Sequence, residues 1–214
     1  METQQNQQGT CPLSLCSSSR GRVIALLIGI VLIAGLISLG IWRQRYVTPK
    51  NFAEVIPEHL YRSAAMEARP MKRILDQHKI HTILTLLAYD PKDPLQEQEI
   101  KIAKEKNIRL ERIGLPKNGC GKFEDLERGA AIIANESTHP LLVHCAAGSN
   151  RTGAVVAVWR MKYCGWDFDR TFAEVEKYTP ISDELKPHLK QLYQERIVAT
   201  RPAKQESATT QSTK

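Results

Sequence analysis

Two kinds of apolar patterning divide the chain. Residues 23–42, VIALLIGIVLIAGLISLGIW, run without a charge, and a helix of that length crosses the ~30 Å hydrocarbon core of a bilayer. Arg20 and Arg22 precede it, and Trp42, Arg43, Arg45 and Lys50 follow as an interfacial anchor would. A retained single transmembrane helix is the expectation. The competing readings are a cleavable signal peptide, whose apolar stretch is usually shorter, and a buried core helix, rarely apolar on every face. The basic residues on the two sides nearly balance, with a slight bias toward a single-pass protein whose following domain is cytoplasmic, a setting that also keeps thiols reduced. Ala25 and Gly29 form a small-xxx-small pair, a weak basis for helix pairing.

From 51 to 198 the pattern changes to apolar runs alternating with amphipathic stretches, as in an α/β domain. Strands are predicted at 81–87, 108–114 and 140–145, and helices at 68–78, 95–106 and 123–135. After the third strand come helices at 151–165, 169–178 and 183–198, the last two separated by Pro180. Such alternation predicts one α/β domain with a central, mostly parallel sheet flanked by helices. Residues 1–22, rich in Gln and Ser, and the polar tail 199–214 are expected to be unstructured, with 43–50 a juxtamembrane linker.

Composition narrows this picture modestly. At 214 residues and 42% apolar content the chain has enough material for one catalytic-sized core plus appendages. A formal charge of +7 favours anionic partners without choosing among phosphorylated substrates, nucleic acid and lipid. Five cysteines, at 11, 16, 120, 145 and 164, are odd in number and lack zinc-ligand spacing, so neither a disulfide framework nor a metal site is expected.

The informative stretch is VHCAAGSNRTG, 143–153, where an apolar strand meets a helix through a tight loop. In an open α/β sheet that junction is the edge at which ligands collect. Attack on phosphorus by Cys145 requires a thiolate, whereas a free cysteine has a pKa of ~8.5. The five residues Ala146, Ala147, Gly148, Ser149 and Asn150 can turn successive N–H groups inward, and the following helix adds the positive end of its dipole. That cradle lowers the thiol pKa and binds a phosphate dianion. Gly148 permits backbone that a side chain would hinder, Arg151 offers a planar fork to two phosphate oxygens, and Thr152 can donate its hydroxyl to the sulfur. His144 is expected to orient the loop.

The segment HCAAGSNRTG resembles the signature loop of the cysteine-based protein tyrosine phosphatase superfamily, most closely its compact dual-specificity-like branch. The resemblance extends through VIPEHLYRSA (55–64), TILTLL, PLLVHC and WRMKYCGWDFDRTFAEVEKY (159–178). It implies a sheet-and-helix phosphatase fold and a phosphocysteine intermediate. By it, Cys145 is the nucleophile, Arg151 the phosphate clamp and 146–150 the phosphate-binding amides. Tyr61, Arg62 and Ser63 match a recurrent family segment, in which Arg62 either assists an anionic substrate or forms a structural salt bridge.

One departure stands out. Members of that superfamily carry an aspartic acid upstream of the cysteine to protonate the leaving oxygen, but here the region reads IGLPKNGCGK (113–122), without an acid. Asp125, Asp90 and Asp93 are the candidate replacements, although each better suits a helix cap or turn, Asp90 and Asp93 both preceding proline. Cys120 in the same region is a candidate resolving thiol.

The expected function is a membrane-anchored phosphatase for phosphotyrosine, or for phosphotyrosine and phosphoserine/threonine, in proteins, requiring neither cofactor nor metal. The alternatives are a phospholipid or inositol phosphate phosphatase, and a phosphate-binding module that turns over slowly. The partners implied are a phosphorylated protein or a phospholipid and, through the single helix, a membrane; nucleic acid is not expected.

Overall fold

The computed structural model describes residues 19–46 and 49–200. Of the expected unstructured stretches 1–22 and 199–214, residues 1–18, with Cys11 and Cys16, and 201–214 lie outside the described residues, as do positions 47 and 48 of the linker, whereas 19–22 are helical. The chain divides into two units, 1–42 and 43–214.

Helix α1, Ser19–Tyr46, fills the described part of the first unit; it begins four residues earlier than the apolar run and continues through Tyr46 of the expected linker. Its segment Val23–Gly40 has a mean hydropathy of 2.9 and none of it is buried. It is one helix long and apolar enough to cross a membrane.

The second unit is an α/β domain. Its five strands are β1 (Ala53–Ile56), β2 (Leu60–Ala64), β3 (Thr82–Thr85), β4 (Arg109–Arg112) and β5 (Leu141–Cys145), ordered β1-β2-β5-β3-β4. β2, β5, β3 and β4 run parallel, and β1 alone pairs antiparallel, with β2. The sheet is therefore mixed, mostly parallel as expected, with an antiparallel edge added by a hairpin that the hydrophobic pattern does not announce. AEVIPEHLYRSA has Pro57, Glu58, His59 and Arg62 where an apolar run would be looked for, yet every residue of β2 is buried.

The three inner strands, β2, β5 and β3, are buried on both faces, which is why TILT and LLVHC read as near-continuous rather than alternating runs. One face is covered by α2 (Ala68–Gln77) and α3 (Pro94–Glu105), through Met71, Ile74, Leu75, Ile102 and Ala103. The other is covered by α4 (Phe123–Ala134), α5 (Asn150–Lys162), α6 (Phe168–Val175) and α7 (Leu185–Leu192), the last continued by one π turn, Tyr193–Val198. Helix α5 is enclosed on nearly all sides, with every residue from Thr152 to Met161 buried. An amphipathic stripe is therefore absent from its sequence. Each parallel strand delivers its C-terminus to the same sheet edge, and β5 ends there on Cys145.

Candidate active site

Cys145 closes β5 beside Ala64 of β2, and its carbonyl accepts the Ala65 N–H at 2.6 Å. Pleating sends alternate side chains to opposite faces. Val143 and Cys145 join the core under α4 to α7, whereas Leu142 and His144 face α2 and α3. Thus His144 does not reach the loop. Its Nε2 instead pairs with Glu99 Oε1 of α3, both side chains being 2% exposed, and Arg112 Nη2 of β4 stands 3.6 Å from Glu99 Oε2. This buried trio fastens the end of β5 to α3 and β4.

The loop 146–149 turns directly into α5, which starts at Asn150, one residue before the predicted boundary. Ser149 is its buried N-cap. Gly148 has φ +69°, and its N–H donates to Cys145 Sγ at 3.2 Å. Burial pushes the Cys145 thiol up, but the Thr152 side chain and amide, the Arg151 charge and the Gly148 N–H together outweigh it and hold the thiol below its ordinary range. The buried Thr152 hydroxyl meets no acceptor in strict hydrogen-bond geometry, so its influence on Sγ is that of a nearby dipole. Arg151 stands half-buried on the first turn of α5. The N-terminus of this 13-residue helix, whose dipole favours an anion, therefore opens at the loop.

Other loops hold this one from outside. Asn51 Nδ2 donates to Ala147 O at 2.8 Å, and Arg62 Nη2 donates to Gly148 O at 2.7 Å. Arg62 is 1% exposed, lies 3.4 Å under the Tyr178 ring, and burial pushes its pKa down to about 10. Its partners are a carbonyl and an aromatic face, and among the described residues it forms no salt bridge. The structural salt bridge that was one of its two expected roles is thus replaced by these two contacts. On the helix side, Asn150 Oδ1 accepts the Ser182 N–H at 3.0 Å and Asn150 Nδ2 reaches Lys117 O at 3.4 Å. Gly119, at φ +85°, packs so closely that a Cβ there would come within 2.8 Å of Asn150 O. The acid-free segment 113–122 is thus the immediate neighbour of the signature loop.

The three candidate acids have other engagements. Asp93 caps α3 by accepting the Leu95 N–H, Asp90 accepts the Lys92 N–H, and Asp125 stands 3.4 Å from Arg128. Among the described residues none of them bonds to the signature loop. Cys120 is half-buried, and burial, with Glu184 adding to it, raises its thiol pKa, the reverse of Cys145. Sequence gave no warning of Asn51, Glu99 or Tyr178. Nothing marks an asparagine at the start of the domain, a helical glutamate or a tyrosine beyond a helix end until the fold brings Asn51 to Ala147 O, Glu99 to His144 and Tyr178 to Arg62.

A parallel-sheet edge that presents a cysteine of lowered pKa, its sulfur met by a loop N–H and followed by an arginine at a helix start, is the arrangement of a cysteine-based phosphatase. Residues 46–211 match the model of the tyrosine phosphatase family, and the chain belongs to that family. It is 30% identical over 139 residues to OCA1 of Yarrowia lipolytica, which bears the name of a tyrosine-protein phosphatase; the match covers 63% of this chain and 52% of that one. It is 26% identical over 140 residues to the inositol diphosphatase SIW14 of Saccharomyces cerevisiae, covering 63% and 47%. The crystal structure of the SIW14 core catalytic domain superposes with a TM-score of 0.60 at 24% identity, over 70% of this chain and 89% of that one. The dual specificity protein phosphatase TpbA of Pseudomonas aeruginosa is 25% identical over 139 residues, covering 64% and 58%. The chain thus spans about half the length of OCA1 and of SIW14.

Proposed function

We propose that this protein is a membrane-anchored phosphatase that cleaves phosphate monoesters, with phosphotyrosine or dual-specificity protein substrates as the leading class. Cys145 attacks phosphorus, an S–P bond forms as the P–O bond to the leaving group breaks, and water then releases phosphate and regenerates the thiolate. Arg151 holds two equatorial oxygens, the amides of 146–150 take up the developing charge, and Thr152 steadies the sulfur as nucleophile and as leaving group. The observation that carries this reading is the Gly148 N–H on Cys145 Sγ at 3.2 Å, in a loop that lowers the thiol pKa. Its test is hydrolysis of para-nitrophenyl phosphate by the full chain in detergent, with reductant and EDTA. Cys145→Ser and Arg151→Lys are both expected to abolish turnover, and a Cys145→Ser protein that kept its activity would overturn the mechanism.

The choice of substrate class rests on the loop's side chains. Ala146, Ala147, Gly148, Ser149 and Asn150 add no cation beyond Arg151, which suits a single phosphate better than a polyphosphorylated head group. Similarity to the inositol diphosphatase SIW14 favours a second reading, an inositol phosphate or a phospholipid substrate. Membrane anchoring rests on α1 alone, which spans 28 residues, or about 42 Å at 1.5 Å per residue. Phosphate release from phosphotyrosine peptides, inositol phosphates and phospholipid vesicles, compared at equal enzyme, separates the substrate readings.

A further inference from the structure

The signature loop must keep its N–H groups pointing inward, where backbone carbonyls are unwelcome. In a planar trans peptide the C=O and the following N–H point in opposite directions. Whatever holds a carbonyl outward therefore aims the next amide inward. Two consecutive carbonyls of this loop are held in that way, by side chains from outside it. Asn51 Nδ2 takes Ala147 O at 2.8 Å, and the N–H of the same peptide plane, that of Gly148, donates to Cys145 Sγ at 3.2 Å. Arg62 Nη2 takes Gly148 O at 2.7 Å, and the other end of that plane is the N–H of Ser149, the N-cap of α5.

We propose that Asn51 and Arg62 are positioning residues for the reaction: by binding successive carbonyls, they fix the two peptide planes whose N–H groups face the nucleophile and the phosphate. The proposal rests on Cys145 being the nucleophile.

Both side chains are themselves prepared for the task. Asn51 sits at φ +54°, a left-handed conformation that asparagine tolerates better than most side chains. Its turn is tied to the end of β2, because Lys50 O accepts the Ala64 N–H at 2.8 Å and Ala64 is the register partner of Cys145. Arg62 extends from β2, is fully enclosed, and has the Tyr178 ring stacked 3.4 Å from its guanidinium. Lysine offers neither the planar stack nor the forked donor. Asn51 is the first residue of the expected domain, so the very start of the domain supplies part of the catalytic loop's support.

The test uses the full chain in detergent with Asn51→Gly, Asn51→Asp and Arg62→Lys. Glycine accepts the left-handed backbone and removes the donor without adding charge, aspartate is isosteric but cannot donate, and lysine keeps the charge that Arg62 presents to Cys145 while losing its geometry. The groups acting on the thiol are Thr152 and Arg151 of α5, the Gly148 N–H and Arg62, while His144 is engaged with Glu99 on the other face. Three readouts are needed: the pH dependence of Cys145 alkylation by iodoacetamide, kcat and KM for para-nitrophenyl phosphate, and thermal unfolding. Each variant is expected to move the alkylation profile to higher pH. Each should also lower kcat/KM about 10-fold, less than the ~10²–10³-fold lost when a direct oxyanion donor is deleted. Unfolding of Asn51→Gly should match the parent. A parental alkylation profile in Asn51→Gly and Arg62→Lys would overturn the proposal, whether activity fell through lost stability or did not fall at all. Because alkylation reads the thiol directly, a parent without phosphatase activity would count against the proposed function and still leave this test decisive.

Discussion

Gly148 is pressed against Ser63 so closely that a Cβ on it would lie 2.6 Å from the Ser63 carbonyl carbon and oxygen and from Ala64 N. All three are backbone atoms of β2, the strand paired with β5, and cannot swing aside as a side chain would. Gly148→Ala is therefore expected to displace the loop. Left-handed backbone alone costs a non-glycine residue about 1–2 kcal/mol, and a displacement of ~1 Å at the reacting centre costs about 10²-fold in rate. Denaturant unfolding together with kcat/KM measures both; a fully active Gly148→Ala would show that the loop's close seat on β2 is not required.

The pH profile follows from the thiol. Because the folded Cys145 pKa lies below its ordinary value, thiolate is present above the folded pKa and is lost as pH falls through it. Thr152→Ala removes the first of the influences that oppose burial, so the folded pKa rises. The acid limb of kcat/KM should move to higher pH, with rate lost at neutral pH and partly regained in alkali. An unshifted limb would mean that the Thr152 dipole does not act on the sulfur.

A site whose neighbouring segment 113–122 carries no acid is expected to release its leaving group with little help. General acid catalysis typically contributes ~10²–10⁴-fold, so aryl phosphates should be turned over faster than alkyl phosphates by about that factor. Asp90→Asn and Asp125→Asn should leave aryl phosphate hydrolysis nearly unchanged, whereas Asp93→Ala should lower stability by ~1 kcal/mol through loss of the α3 cap. If any one substitution removed the alkaline limb of the pH profile, that aspartate would be the proton donor.

Glu99 is buried between His144 and Arg112. Removing one member of a buried pair leaves its partner desolvated and uncompensated, at a cost of about 3–5 kcal/mol. Glu99→Ala should lose stability on that scale in urea unfolding, and Glu99→Gln, which keeps an acceptor for His144, should lose less. Equal, small losses in both would mean that His144 finds another partner.

Anchoring has its own measurement. The full chain should sediment with membranes and resist extraction at high pH, and a variant lacking 1–42 should not sediment. Full-length protein released by high pH alone would contradict a spanning helix.

Local sequence determined a good deal of this protein. The uncharged run 23–42, the strands β3, β4 and β5, the helices between them and the strand–loop–helix at 143–153 are each written in contiguous residues, because strand burial, helix periodicity and a loop that runs from Cys through x5 to Arg are all short-range patterns. The β1–β2 hairpin was not legible, since β2 hides an arginine whose burial makes sense only once Gly148 O and the Tyr178 ring are there to receive it. The same holds for Asn51, 96 positions from Ala147, and for Glu99, 45 from His144. Hydrogen-bond partners so far apart in sequence leave no periodic trace, because only the folded sheet edge decides which side chains meet the carbonyls that the loop turns outward.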